Sequence, residues 1–98
     1  MLRLSVRCQT PAEAVLQVDG WVAAEQVLLL AQEGARLLRT SRCLWLDLKG
    51  VIFIDQAGLA LLQEGWGQRV RLRNGSPFIR ALLAQHHLDC EENEAPCR

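Results

Sequence analysis

One stretch near the middle of the chain is apolar on both faces of a strand. Apart from Asp47, every residue of Cys43–Leu48 is apolar, at odd and even positions alike. A strand of this kind needs cover on both sides, so we expect it at the centre of a sheet. Strand and helix patterns alternate along the chain around it, which predicts a layered α/β domain.

The other strands alternate apolar and polar residues, and the helices carry apolar stripes at helical spacing. The short first connection predicts an antiparallel pair, and right-handed crossovers make the last three strands mutually parallel. The polar faces of the strands predict helices mainly on one side of the sheet. The predicted strands are 2–7, 14–19, 43–48 with 51–54 after a turn at Lys49-Gly50, and 68–73, and the predicted helices are 22–38, 56–66 and 77–86.

Two sets of side chains leave alternatives open. Arg69, Arg71 and Arg73 point away from the core face and could join Arg3 and Arg7 in a basic strip, although a solvated strand face is the preferred interpretation. Leucines beside the stripe of the first helix could be core or a partner surface. These are Leu28, Leu29 and Leu37. In the last helix, Phe78 is expected to face inward with its apolar neighbours.

Composition excludes several classes of function. The chain has 98 residues, enough for one domain, and its 11 basic and 11 acidic residues balance. A neutral chain lacks the charge for nucleic-acid or anionic-membrane binding, and it leaves a homodimer open. The beginning of the chain is no signal peptide and no apolar run could span a membrane, so we expect a cytoplasmic protein.

The cysteines and histidines form no recognisable metal or catalytic pattern. Cys8, Cys43, Cys90 and Cys97 are irregularly spaced, and free thiols in a reducing compartment are expected. The pair His86-His87 with the last two cysteines matches no zinc spacing, so no metal site is predicted. Because no phosphate loop, dinucleotide fingerprint or nucleophile context is present either, we expect no cofactor and no enzymatic activity.

Residues 44–62 carry a more specific signal. The segment is an apolar strand with Asp47 near its end, a short turn, and then Asp55-Gln56-Ala57-Gly58-Leu59 opening a helix. It resembles the STAS domain, whose signature is Asp-Ser-Ser-Gly-Leu or Asp-Thr-Ser-Gly-Leu after such a strand. The order of elements over residues 1–88 fits this family as well. The resemblance implies a single STAS-like domain with a mixed sheet of about four to five strands and about three to four helices mainly on one face. Residues 89–98 are then expected to be a polar flexible tail.

The start of this helix is a candidate docking surface on physical grounds. Asp55 is a favoured N-cap, a contribution of roughly 1 kcal/mol. The first-turn amides point outward at the positive end of the helix dipole, and Gly58 permits close approach of another backbone. We therefore expect the partner-binding residues to be Asp55, Gln56, Ala57, Gly58, Ala60 and Leu61.

The resemblance also implies a partner. Anti-sigma-factor antagonists of this family are phosphorylated on the serine directly after the aspartate, and phosphate there blocks docking. This chain has Gln56 at that position and Ala57 next to it, so neither offers a hydroxyl. The hypothesis is a bacterial partner-switching protein that is fixed in its binding-competent form and docks on an anti-sigma factor or serine-kinase-like protein.

Two other functions remain open at this point. Stand-alone STAS subunits of bacterial lipid-transport ABC systems resemble residues 58–62, and there the partner would be the transporter's ATPase. A nucleotide or small-molecule sensor at the helix start has little support in the sequence.

Overall fold

Strands and helices alternate along the chain much as the sequence predicts. The computed structural model describes residues 2–64 and 69–91. Within these ranges the elements are β1 (Leu2–Gln9), β2 (Glu13–Val22), α1 (Gln26–Leu38), β3 (Cys43–Ile54), α2 (Gln56–Glu64), β4 (Val70–Arg73), α3 (Pro77–Gln85) and β5 (Cys90–Glu91).

The strands form one mixed sheet in the order β1-β2-β3-β4-β5. β1 pairs antiparallel with β2, whereas β2, β3, β4 and β5 run parallel to their neighbours. The predicted antiparallel pair and the parallel strands after it are confirmed, and β3 is the central strand. With five strands and three described helices, the structure confirms the predicted fold class.

The core lies on one face of the sheet, under the helices. Alternate residues in the first halves of β2 and β3, such as Leu16 and Leu46, are buried in one cluster with Leu30, Leu59 and Leu83 of the three helices. On the opposite face Val15 and Trp45 are also buried, with 2 % and 8 % of their surface exposed. The guanidinium of Arg71 lies over the Trp45 ring at 5.6 Å. The side chain of Arg71 thus covers part of the apolar surface of β3 on the side of the sheet that faces away from the helices.

Two predicted boundaries are wrong. The first helix does not begin at Val22, because β2 continues to that residue and pairs with the end of β3, including Trp21 with Phe53 and Val22 with Ile54. Lys49-Gly50 is not a turn that ends the strand, because β3 continues through it. The register with β2 shifts there, and Asp47 Oδ1 accepts the Lys49 amide at 3.0 Å, so a bulge replaces the turn.

The arginines of the β4 region do not form a solvated row. Arg69 donates from Nη2 to the carbonyls of Leu38 and Ser41, at 2.6 and 2.9 Å, and so ties the end of α1 to β4. Arg73 is only 5 % exposed. The solvated-face interpretation therefore fails for Arg73, which is buried, whereas Arg69 and Arg71 are exposed residues and Arg69 also bonds carbonyls of the chain.

The structure also shows where three further side chains of the helices lie. Ser76 caps α3 by accepting the Ile79 amide at 3.3 Å, but Phe78 is exposed rather than inward, because it follows Pro77 in the first turn. Leu37 belongs to the core.

The thiols differ from expectation at one position. Cys43 and Cys90 carry reduced thiols, whereas Cys8 is disulfide-bonded, so the expectation of thiols outside disulfides is wrong for Cys8. The predicted tail contributes residues 90 and 91 to the sheet as β5, and its residues 92–98 lie outside the described residues. None of the described helices is both long enough and apolar enough to cross a membrane.

Candidate functional site

The candidate site is the junction where β3 passes into α2. β3 ends at Ile54 and α2 begins at Gln56, with Asp55 alone between them. The Asp55 carboxylate accepts the Gly58 amide through Oδ1 at 2.9 Å, which is the side-chain hydrogen bond of a helix N-cap. The N-cap that the sequence predicts is therefore present.

Asp55 also makes a contact that the sequence did not reveal. Its Oδ2 accepts the backbone amide of Ala24 at 2.8 Å, and its own amide donates to the Val22 carbonyl at 3.0 Å. Ala24 has a φ of +53°, a left-handed conformation that costs an alanine energy. One carboxylate thus joins the start of α2 to the loop between β2 and α1. Because the two segments are 31 residues apart, no local pattern could have shown it.

The same hydrogen bonds set the charge of the site. The amides of Ala24 and Gly58 lower the pKa of the Asp55 carboxyl, with a smaller effect of the Ala57 amide in the same direction, and burial opposes the shift only in part. Asp55 is therefore ionised at neutral pH and carries its negative charge at the positive end of the α2 dipole.

Gly58 is buried and serves contacts within the chain. A Cβ on Gly58 would lie 2.8 Å from the carbonyl oxygen of Val22 and 2.8 Å from Cγ2 of Ile54. The close backbone approach that a glycine allows is here made by the end of β2. Glycine lets the first turn of α2 pack directly on the strand ends.

The residues predicted to contact a partner differ in accessibility. Gln56, Ala57 and Ala60 are exposed on the outer side of α2, and Asp55 is half-buried beside them. Leu61 is half-buried and packs against the core. The expectation of bare amide donors is also modified, because the Gly58 amide is bonded to Asp55. What the start of α2 offers to the outside is a small surface of one glutamine and two alanines.

Exposed apolar side chains at the ends of β2 and β3 were missed at the sequence level. Trp21 and Phe53, register partners at the ends of β2 and β3, have ring centroids 5.7 Å apart. Trp21 is 48 % exposed and the neighbouring Ile52 is 60 % exposed. Sequence reasoning placed Trp21 just before a helix and Ile52 in the lead-in to Asp55. The sequence signal that could have revealed them is the run of large apolar residues at both strand ends, because only alternate residues of a strand can face the core.

Comparisons with known proteins bear on the fold. No protein-family model and no curated protein sequence matches the chain. Among solved structures, the chain is similar to the anti-sigma factor antagonist SpoIIAA in its unphosphorylated form, with a TM-score of 0.76 and 16 % sequence identity. The match covers 94 % of this chain and 90 % of that chain. The chain therefore has the STAS fold that residues 44–62 predicted.

Proposed function

We propose that this chain is a non-catalytic regulatory domain that docks on an anti-sigma factor or a serine-kinase-like switch protein through the start of α2. The observation that carries the proposal is the exposed surface of Gln56, Ala57 and Ala60 on a helix whose first turn is fixed by Asp55. The similarity to an anti-sigma factor antagonist over nearly the whole chain supports it.

The geometry suits docking by shape. Asp55 bonds to both the α2 start and the loop at Ala24, and Gly58 packs on the strand ends, so the helix start is held from two sides. A surface that is already ordered loses little conformational entropy when a partner binds. Two small side chains let the partner's backbone approach closely.

Regulation at this surface would differ from the family's usual switch. Gln56 is exposed at the first position of α2, where the antagonists carry a phosphorylated serine, and it has no hydroxyl to modify. We propose that the domain docks without being phosphorylated there and that control comes from the partner or from protein level. Incubation with a cognate serine kinase, followed by phosphopeptide mapping, tests this directly. Phosphate found within residues 55–60 would contradict it.

The interface itself is tested with paired arginine substitutions. Ala60→Arg places a long cation on the proposed surface, whereas Ala84→Arg places it on an exposed position of α3. Affinity capture from the native cell should lose the partner at least about ten-fold with Ala60→Arg and keep it with Ala84→Arg. Equal capture by both variants, with circular dichroism spectra unchanged, would refute the placement of the interface.

The same capture experiment decides between the two candidate partners. The missing hydroxyl at Gln56 also suits a subunit that binds the ATPase of a bacterial lipid-transport ABC system, which needs no phospho-switch. Recovery of a serine-kinase-like protein or anti-sigma factor supports the first proposal, and recovery of an ABC ATPase with membrane proteins supports the second. Both proposals place the domain in the cytoplasm. The disulfide at Cys8 argues against that location, because disulfides persist mainly in oxidising compartments.

A further inference from the structure

A second surface lies at the β1 edge of the sheet. β1 is the first strand in the sheet order and pairs with β2 along one side only, so its other side offers backbone amides and carbonyls without a strand partner among the described residues. An eight-residue edge of this kind is a template for another strand. The register shift between Val6 and Cys8 interrupts the ladder, which leaves residues 2–6 as the regular part of the edge.

An apolar groove follows this edge on the helix side of the sheet. It lies between β1 and α1, has a volume of about 410 Å³, and contains Leu2, Leu4 and Leu29. Leu29 is 54 % exposed, although it stands on the side of α1 that faces β1. At the rim, Arg36 and Glu33 form an ion pair with each other. The charges of this ion pair compensate each other, and Gln32 completes the lining, so the groove has an apolar wall of leucines and a polar wall.

The other side of the same edge is basic. Arg3 and Arg7 are both exposed, and neither forms an ion pair within the part of the chain that the structure describes. Ser5 lies between them on the strand. Arg3 stands in register with Asp19 of β2, so this face of the edge carries two cations and one neighbouring carboxylate, with no ion pair formed at either arginine.

The two arginines decide which partner fits. If a second copy paired antiparallel with β1 about Ser5, Arg3 of each chain would approach the bulged Arg7 of the other, and like charges brought close together disfavour that strand pair. A strand with carboxylates on that face would instead form opposite-charge pairs with both arginines, while its alternate apolar side chains would enter the groove at Leu29.

We propose that β1 is an acceptor for an extended segment of a partner polypeptide in which apolar residues alternate with aspartate or glutamate. Such a segment would add a sixth strand to the sheet, with affinity from backbone hydrogen bonds and specificity from the groove and the arginines. This surface is on the opposite side of β2 from β3 and does not rest on the function proposed for α2.

The probes are two short synthetic peptides, one alternating valine with glutamate and the other alternating valine with lysine. Binding is measured by fluorescence anisotropy, and amide hydrogen exchange locates the site. We expect the acidic peptide to bind and to protect the amides of residues 2–6, and the basic peptide to bind at least about ten-fold more weakly. Binding of the acidic peptide should weaken as salt rises.

Variants separate the charge from the groove. Arg3→Glu combined with Arg7→Glu should reverse the preference between the two peptides, whereas Arg42→Glu, at an exposed position in the α1–β3 connection, should leave it unchanged. Leu29→Lys should weaken both peptides. Equal binding of the peptides, protection outside β1, or a self-association of the chain that alone protects residues 2–6 would overturn the proposal. Unchanged circular dichroism spectra confirm that the variants remain folded.

Discussion

A substitution of Gly58 tests directly how closely the start of α2 packs on the ends of β2 and β3. Replacing it with alanine adds one methyl group where the structure has no room. The new Cβ would lie 2.8 Å from the Val22 carbonyl oxygen, 2.8 Å from Ile54 Cγ2 and 2.9 Å from Val22 Cγ1. Two of these atoms belong to buried side chains and one to the backbone, so none is the free end of a flexible group. The start of α2 must therefore move away from the strand ends.

Two effects of opposite sign set the magnitude. Alanine is favoured over glycine inside a helix by about 1 kcal/mol. Overpacking of a well-filled core costs about 1–3 kcal/mol, and three simultaneous contacts with little freedom to yield place Gly58→Ala at the upper end. The free energy of unfolding should then fall by about 1–2 kcal/mol. For a domain of this size, that corresponds to a lower Tm by roughly 5–15 °C.

Urea unfolding and thermal denaturation followed by circular dichroism measure this change. Ala60→Gly is the matched control, because Ala60 is exposed on the same helix and its change reports helix propensity alone. Both variants should be less stable than the parent chain. If helix propensity governed both positions, Gly58→Ala would raise the Tm while Ala60→Gly lowered it. A higher Tm for Gly58→Ala would therefore refute the close packing of α2 on Val22.

Three further predictions concern charged side chains. Asp55→Ala should lower the free energy of unfolding by about 2 kcal/mol at pH 7, because a cap bond and a loop bond are both lost. Because the pKa of Asp55 is lowered in the native state, the difference in free energy of unfolding between the parent chain and the variant should reach its full size above pH about 4. It should shrink as the pH falls through the native pKa. A difference that does not depend on pH in urea titrations would contradict this prediction. Arg69→Met should cost about 2 kcal/mol in the same assay, since the α1 carbonyls lose their donors, and a change no larger than that of exposed Arg3→Met would argue against this role. Arg73→Met should be neutral or stabilising, because Arg73 Nη1 is buried without a hydrogen-bond partner among the described residues, and a marked loss of stability would refute that account.

The parts of the fold that the sequence predicted correctly are those governed by local patterns. The run of residues that is apolar on both faces identified β3 as the central strand, and the alternation of apolar and polar residues identified β1. The N-cap at Asp55 was predictable because capping needs only residues within one turn. The motif in residues 44–62 together with the order of the elements predicted the STAS fold, which is confirmed.

What the sequence could not show depends on contacts between distant residues. Val22 looked helical because valine and its neighbours suit the stripe of α1, but pairing with Ile54 holds it in β2. Arg69 reads as a surface arginine in any local window, yet its guanidinium reaches carbonyls about 30 residues earlier, such as that of Leu38. The Asp55–Ala24 bond has the same character. Local propensity is overridden where a tertiary partner is available.

The chemistry of the α2 surface follows from how Asp55 is used. Both oxygens of its carboxylate are engaged by amides, at Ala24 and Gly58, and its charge persists at neutral pH because those bonds lower its pKa. That charge offsets the positive end of the helix dipole, so the exposed surface beside it is close to neutral. A phosphate on residue 56 would add about −1.5 to −2 charge directly beside this carboxylate and would change the surface completely. Gln56 has no hydroxyl to carry that phosphate, so under the proposed function the charge at position 56 stays constant and docking depends on the shape of the surface and on the state of the partner.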